Sequence, residues 1–149
     1  MSQGLQPEFG AALAAVHGEM HQSVQALLQA LDAEREALDA GNVEALGLAG
    51  SRKQELMLRL EQLDTERRQL ALELTATHAP ATPSWLAIAQ ALRQCQQLNQ
   101  RNGSIVGQRL RTVRQALAVL TGASADGNVY DRNGGLQSGV ARAHALAAV

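Results

Sequence analysis

Aromatic side chains are almost missing from this 149-residue chain, which has one phenylalanine, one tryptophan and one tyrosine. Its core must therefore be aliphatic. Ala, Leu, Gln, Glu and Arg dominate over clustered Val, Ile and Thr, which points to packed helices rather than sheets. The only cysteine is Cys95, so an internal disulfide is excluded and a reducing compartment fits. No stretch approaches the roughly 20 apolar residues that span a bilayer. Met1 to Gly10 has no basic residue and no apolar run, so a secretory signal is not expected and a cytoplasmic protein without direct membrane insertion is.

Strong charge of one sign is missing too. The net of −1 argues against a polyanion binder. It hides an asymmetry, because residues 1–78 carry 12 Asp/Glu against 6 Lys/Arg and residues 79–149 carry 2 against 7. The simplest expectation is an acidic hairpin beside a basic helix. Arg93, Arg101, Arg109, Arg111 and Arg114 point in several directions at about 100° per residue and have no interleaved aromatics for base stacking. No nucleic acid is expected as a partner.

Catalytic signatures are missing as well: there is no phosphate loop, nucleophile elbow or Glu-x-x-His pair. His17 and His21 stand at i, i+4 but lack a third ligand, so two surface histidines are expected and no metal. Cys95 lies on an apolar stripe, where it serves as a small buried hydrophobe. No enzyme and no cofactor are expected.

What is present is helical periodicity. Phe9, Leu13, Val16, Met20, Val24, Leu27, Leu31 and Leu38 follow at steps of three, four or seven after Pro7, giving one long helix. Its last turns are charged, with Asp32, Glu34, Arg35 and Glu36. Gly41 can take the left-handed conformation that ends a helix, and Asn42 is a good N-cap for the next. So short a link forces an antiparallel hairpin. The second helix repeats Leu56, Leu60, Leu63, Leu70 and Leu74, with Arg67 as a charged seam residue and weak first turns at Gly47 and Gly50. Ala79-Pro80-Ala81-Thr82-Pro83 breaks the pattern, and Thr82 as N-cap with Pro83 at the first helical position opens a third helix. Trp85 is placed to anchor its start.

The third segment is unlike the others. Leu92, Cys95, Asn99, Val106, Leu110, Val113 and Leu117 fall on one stripe, with Leu98 and Ile105 flanking it. Asn99 interrupts the stripe, Asn102 lies at its edge and Gly103 lies within it. Two glycines in Gly103-Ser104-Ile105-Val106-Gly107 each weaken the helix by up to about 1 kcal/mol. A face of this kind suits a partner that binds and leaves. The segment stops at Gly122, and the Gly-rich remainder holds Tyr130 within Asn128-Val129-Tyr130-Asp131-Arg132-Asn133-Gly134. The expected fold is all-α: an antiparallel helical hairpin plus a third long helix. The helices cover about 8–40, 43–78 and 83–121 in a domain of residues 1–121, and 122–149 form a flexible tail with a short helix over about 140–148.

These features resemble the FlgN family of flagellar export chaperones. The likeness is carried by Asp39-Ala40-Gly41-Asn42, Pro83-Ser84-Trp85, Leu98-Asn99-Gln100-Arg101-Asn102-Gly103 and Val129-Tyr130-Asp131-Arg132-Asn133-Gly134. The resemblance implies a cytoplasmic chaperone that binds the C-terminal helical segments of hook-associated (hook–filament junction) proteins. It implies delivery of them to the cytoplasmic domain of the flagellar type III export gate. Asn99, Asn102 and Gly103 match the family motif in the client-binding helix, and Tyr130 matches the gate-docking tyrosine. The tail departs from the family pattern at Gly134-Gly135-Leu136. Leu98, Ile105, Val106, Leu110, Val113 and Leu117 would supply apolar burial to a client. The alternative is a structural coiled-coil protein that self-associates through the same seam, as a client-free chaperone also could. Sequence leaves open whether the third helix folds back on the hairpin, pairs with a second copy or frays.

Overall fold

The turn at Gly41 and Asn42 sets the architecture. In the computed structural model, which describes residues 6–74 and 83–122, helix α1 (Gln6–Ala40) ends in this turn and α2 (Val43–Leu74) leaves it. Gly41 has φ +66°, its N–H donates to Leu38 O at 3.1 Å, and the Asn42 N–H donates to Ala37 O at 2.9 Å. This pair of bonds satisfies the last carbonyls of α1 and requires a left-handed residue, which glycine adopts without steric penalty. Asn42 Oδ1 then accepts the Ala45 N–H at 3.0 Å, capping α2. The tight link predicted from Gly41 and Asn42 is present, with the left-handed glycine and the asparagine cap in the expected places. Gly47 and Gly50 do not loosen α2, which is helical from Val43; the cap and the burial of Ala49 offset their low propensity.

The third helix, α3 (Pro83–Leu120), begins at the predicted proline and runs through Gly103 and Gly107 without a break. The described chain is all-α. Thr82 and the ends expected for α2 beyond Leu74 lie outside the described residues, as does the tail with its short helix at about 140–148. The described residues fall into two units, one ending at Val106 and the other beginning at Gly107.

The first unit holds the core. Val16, Met20, Val24, Leu27 and Leu31 of α1 meet Leu56, Leu60 and Leu63 of α2 and Ile88, Ala91 and Cys95 of α3, all buried. The aliphatic core expected from the composition is what fills this space. Arg59 pairs with Glu19 and Lys53 with Glu34, so α2 runs antiparallel to α1. Cys95 Sγ lies 3.9 Å from Val24 O, and Asn102 Nδ2 lies 2.9 Å from Leu31 O, so the first part of α3 runs parallel to α1 and folds back on the hairpin. These ion pairs join α1 to α2, while α3 is reached by amides. In the second unit, α3 ends at Leu120, followed by Gly122 with φ +68°.

Leu63 has no exposed surface and its neighbours come from a packed aliphatic core. Leu63→Ala should lower unfolding stability by about 3 kcal/mol, read as a reduced urea midpoint by far-UV circular dichroism.

Candidate functional site

In the first unit, α3 turns Ile88, Ala91, Cys95 and Asn102 inward, a series in which the last position carries an amide where hydrocarbon would pack. Asn102 is only 2% exposed. Its Nδ2 donates to Leu31 O at 2.9 Å and to Glu34 Oε2 at 2.8 Å. Its Oδ1 is buried without a hydrogen-bond partner among the described residues. The other oxygen of Glu34 accepts Lys53 Nζ at 2.6 Å, and Lys53 also donates to Asn99 Oδ1 at 3.2 Å. Lys53 is the only lysine of the chain. A carboxylate with 8% exposure persists only because donors surround it. Glu34 had stood within a charged run, and nothing in that run marked it as interior.

A second cluster lies further toward the N-terminus of α3. Trp85 stacks on His17 with ring centroids 5.8 Å apart, and Arg67 Cζ sits 4.0 Å above the Trp85 ring. Ser84 Oγ lies 3.3 Å from His17 Nδ1. Arg67 also pairs with Asp64 at 2.8 Å, which explains a charged residue at a seam position. His17 is buried, not a surface histidine as expected; Trp85 covers it, while His21 remains exposed. Burial, and then the nearby Arg67 charge, hold the His17 imidazole below its ordinary value of 6.5. Burial likewise pushes the Cys95 thiol up, keeping it protonated.

Between these clusters a groove of about 920 Å³ opens, lined among others by Met20, Leu27 and Leu31 of α1, Met57 and Leu60 of α2, and Leu92 of α3. Sequence reading missed it. The available signal was a second stripe on α2, in which Gly50, Gln54, Met57, Glu61, Asp64 and Arg68 recur at steps of three and four beside the leucine seam.

The residues singled out from sequence are not all on one surface. Leu98 is half-buried against the core and Ile105 is half-buried. Asn99 is exposed and bonded to Lys53, whereas Asn102 is interior, so the inward line of α3 passes through Asn102 rather than Asn99. Gly103 is exposed, and a Cβ added there would meet nothing within 4 Å. Val106, Leu110, Val113 and Leu117 are between 47% and 54% exposed. Leu110, Val113 and Leu117, in the second unit, keep the spacing of a helix that buries one side, yet that side is open. Tyr130 lies outside the described residues.

No group of three potential metal ligands occurs among the described residues. No helix among them is long and apolar enough to cross a membrane. A family model described as FlgN protein matches residues 11–138. No curated protein and no solved structure matches the chain.

The depressed His17 predicts how stability depends on pH. Above about pH 7 the imidazole is neutral in folded and unfolded chains alike and its contribution is complete. As pH falls through 6.5 the unfolded chain gains a proton that the folded chain resists, so stability declines toward the depressed folded value. Urea midpoints at about pH 7.5 and pH 5.5 should differ in the wild type, and by less in His17→Gln.

Proposed function

The chain belongs to the FlgN family, whose members are flagellar export chaperones and not enzymes, and from that premise we propose which surfaces meet which partners. The clients are C-terminal helical segments of hook-associated proteins, kept unassembled and then delivered to the cytoplasmic domain of the export gate. The observation that carries this reading is the open aliphatic side of α3 formed in the second unit by Leu110, Val113 and Leu117. Side chains at this spacing are normally covered by another helix. Here a client helix would lay its apolar face against them, the usual way an amphipathic helix is bound.

Burial of such a face contributes roughly 25 cal/mol per Å² before ordering costs are subtracted. Among the described residues, nothing stands within 4 Å of a Cβ added at Gly103, and at Gly107 the neighbour is Arg111 Nη1, at 3.7 Å. Both positions therefore admit close approach by a client backbone. Asn99, exposed, can turn to a client, whereas Asn102 acts from inside by fixing where α3 sits. Tyr130 is assigned to the gate on the family motif alone.

Leu110→Asp should weaken binding of a hook-associated protein's C-terminal segment by about 30-fold or more, measured by calorimetry, while far-UV circular dichroism stays unchanged. Wild-type affinity in that variant would remove this surface from the contact. Tyr130→Ala should bind client normally yet lose capture by the isolated cytoplasmic domain of the gate. Loss of both activities together would assign the tyrosine to the fold.

A further inference from the structure

We propose that residues 83–106 of α3 form a releasable arm, clasped to the α1–α2 hairpin by two bridges at opposite ends of the groove and able to detach as a unit while the hairpin stays folded. One bridge is Lys53 to Asn99, at 3.2 Å. The other is Arg67 over Trp85, at 4.0 Å. Positions 53 and 67 on α2 are as far apart as 85 and 99 on α3, about 21 Å along each helix. The bridges therefore form in one common register, and sliding α3 by a turn would break both.

Between them α2 and α3 are separated by the groove rather than by interlocked side chains. The inner face of the arm is correspondingly thin. Ile88 is its one large, fully buried aliphatic residue; Ala91 and Cys95 are small, and Leu92, Leu98 and Trp85 are only partly covered. Asn102 adds fixation without much hydrophobic gain. Its two donated bonds and the Lys53–Asn99 bond are replaced by water when the arm lifts, and the stranded Oδ1 regains the solvation it lacks when docked. The hairpin keeps its own seam of Leu27, Ala30, Leu31, Leu56, Leu60 and Leu63, its bonded turn and the Arg59–Glu19 pair. The docked arm is thus specified closely by polar geometry and held weakly by burial. Such a segment opens below the threshold of global unfolding.

Amide hydrogen exchange of the full chain, resolved by peptide mass spectrometry, reads this directly. Amides over residues 88–104 should exchange at least about tenfold faster than those over 24–34 and 56–63. Asn102→Ala should speed the first set by about a further tenfold and leave the hairpin sets unaltered. Asn99→Ala, at an exposed site on the arm that removes the bridge to Lys53 and leaves the Lys53–Glu34 pair in place, should act in the same direction and serves if the Asn102 variant does not fold. One common protection for all three segments, or a variant that accelerates them equally, would overturn the arm and make residues 6–106 a single cooperative unit.

Discussion

A single carboxylate, that of Glu34, receives a donor from each of the other two helices. Lys53 of α2 reaches one oxygen at 2.6 Å and Asn102 of α3 reaches the other at 2.8 Å. Leu31 O, one turn earlier on α1, takes the second Asn102 proton. A node of this kind adds little net stability over hydrocarbon, since both charges must be desolvated. Its value lies in geometry: it accepts one rotation and one height for each helix. The hydrophobic contacts around it, mostly Leu, Ala and Met, would tolerate several.

Much of the fold was legible because local rules agreed with one another. Gly41 and Asn42 announced a tight turn, Pro83 announced a helix start, and the leucine repeat of α2 named three residues that are buried. What failed to be legible has a common physical cause. Periodicity gives a face to within about 60°, and Asn99 and Asn102 stand that far apart on a helix wheel. Which of the two amides turns inward depends on where Glu34 waits, a fact about another helix 68 residues away. His17 is likewise decided by Trp85, which comes from a different helix. The groove was hidden because Met57 and its neighbours on α2 are mostly polar, and only the arrival of α3 encloses them.

The motif that carries the family likeness therefore does two things at once. Within Leu-Asn-Gln-Arg-Asn-Gly, Leu98 and Asn102 serve the chain's own packing, while Gly103 and the aliphatic residues after it leave a face uncovered. The polar anchor fixes how α3 is turned, and on the proposed reading the uncovered part would supply burial to a client helix.

Trp85 is the only tryptophan, and it sits between an imidazole and a guanidinium contributed by two other helices. The molecule thus carries its own optical gauge at the start of α3. Ultraviolet emission from this indole reports the electrostatic surroundings of one junction and nothing else, free of the averaging that several fluorophores impose. Any event that lifts the indole out from beneath Arg67 changes its colour and brightness without an attached dye.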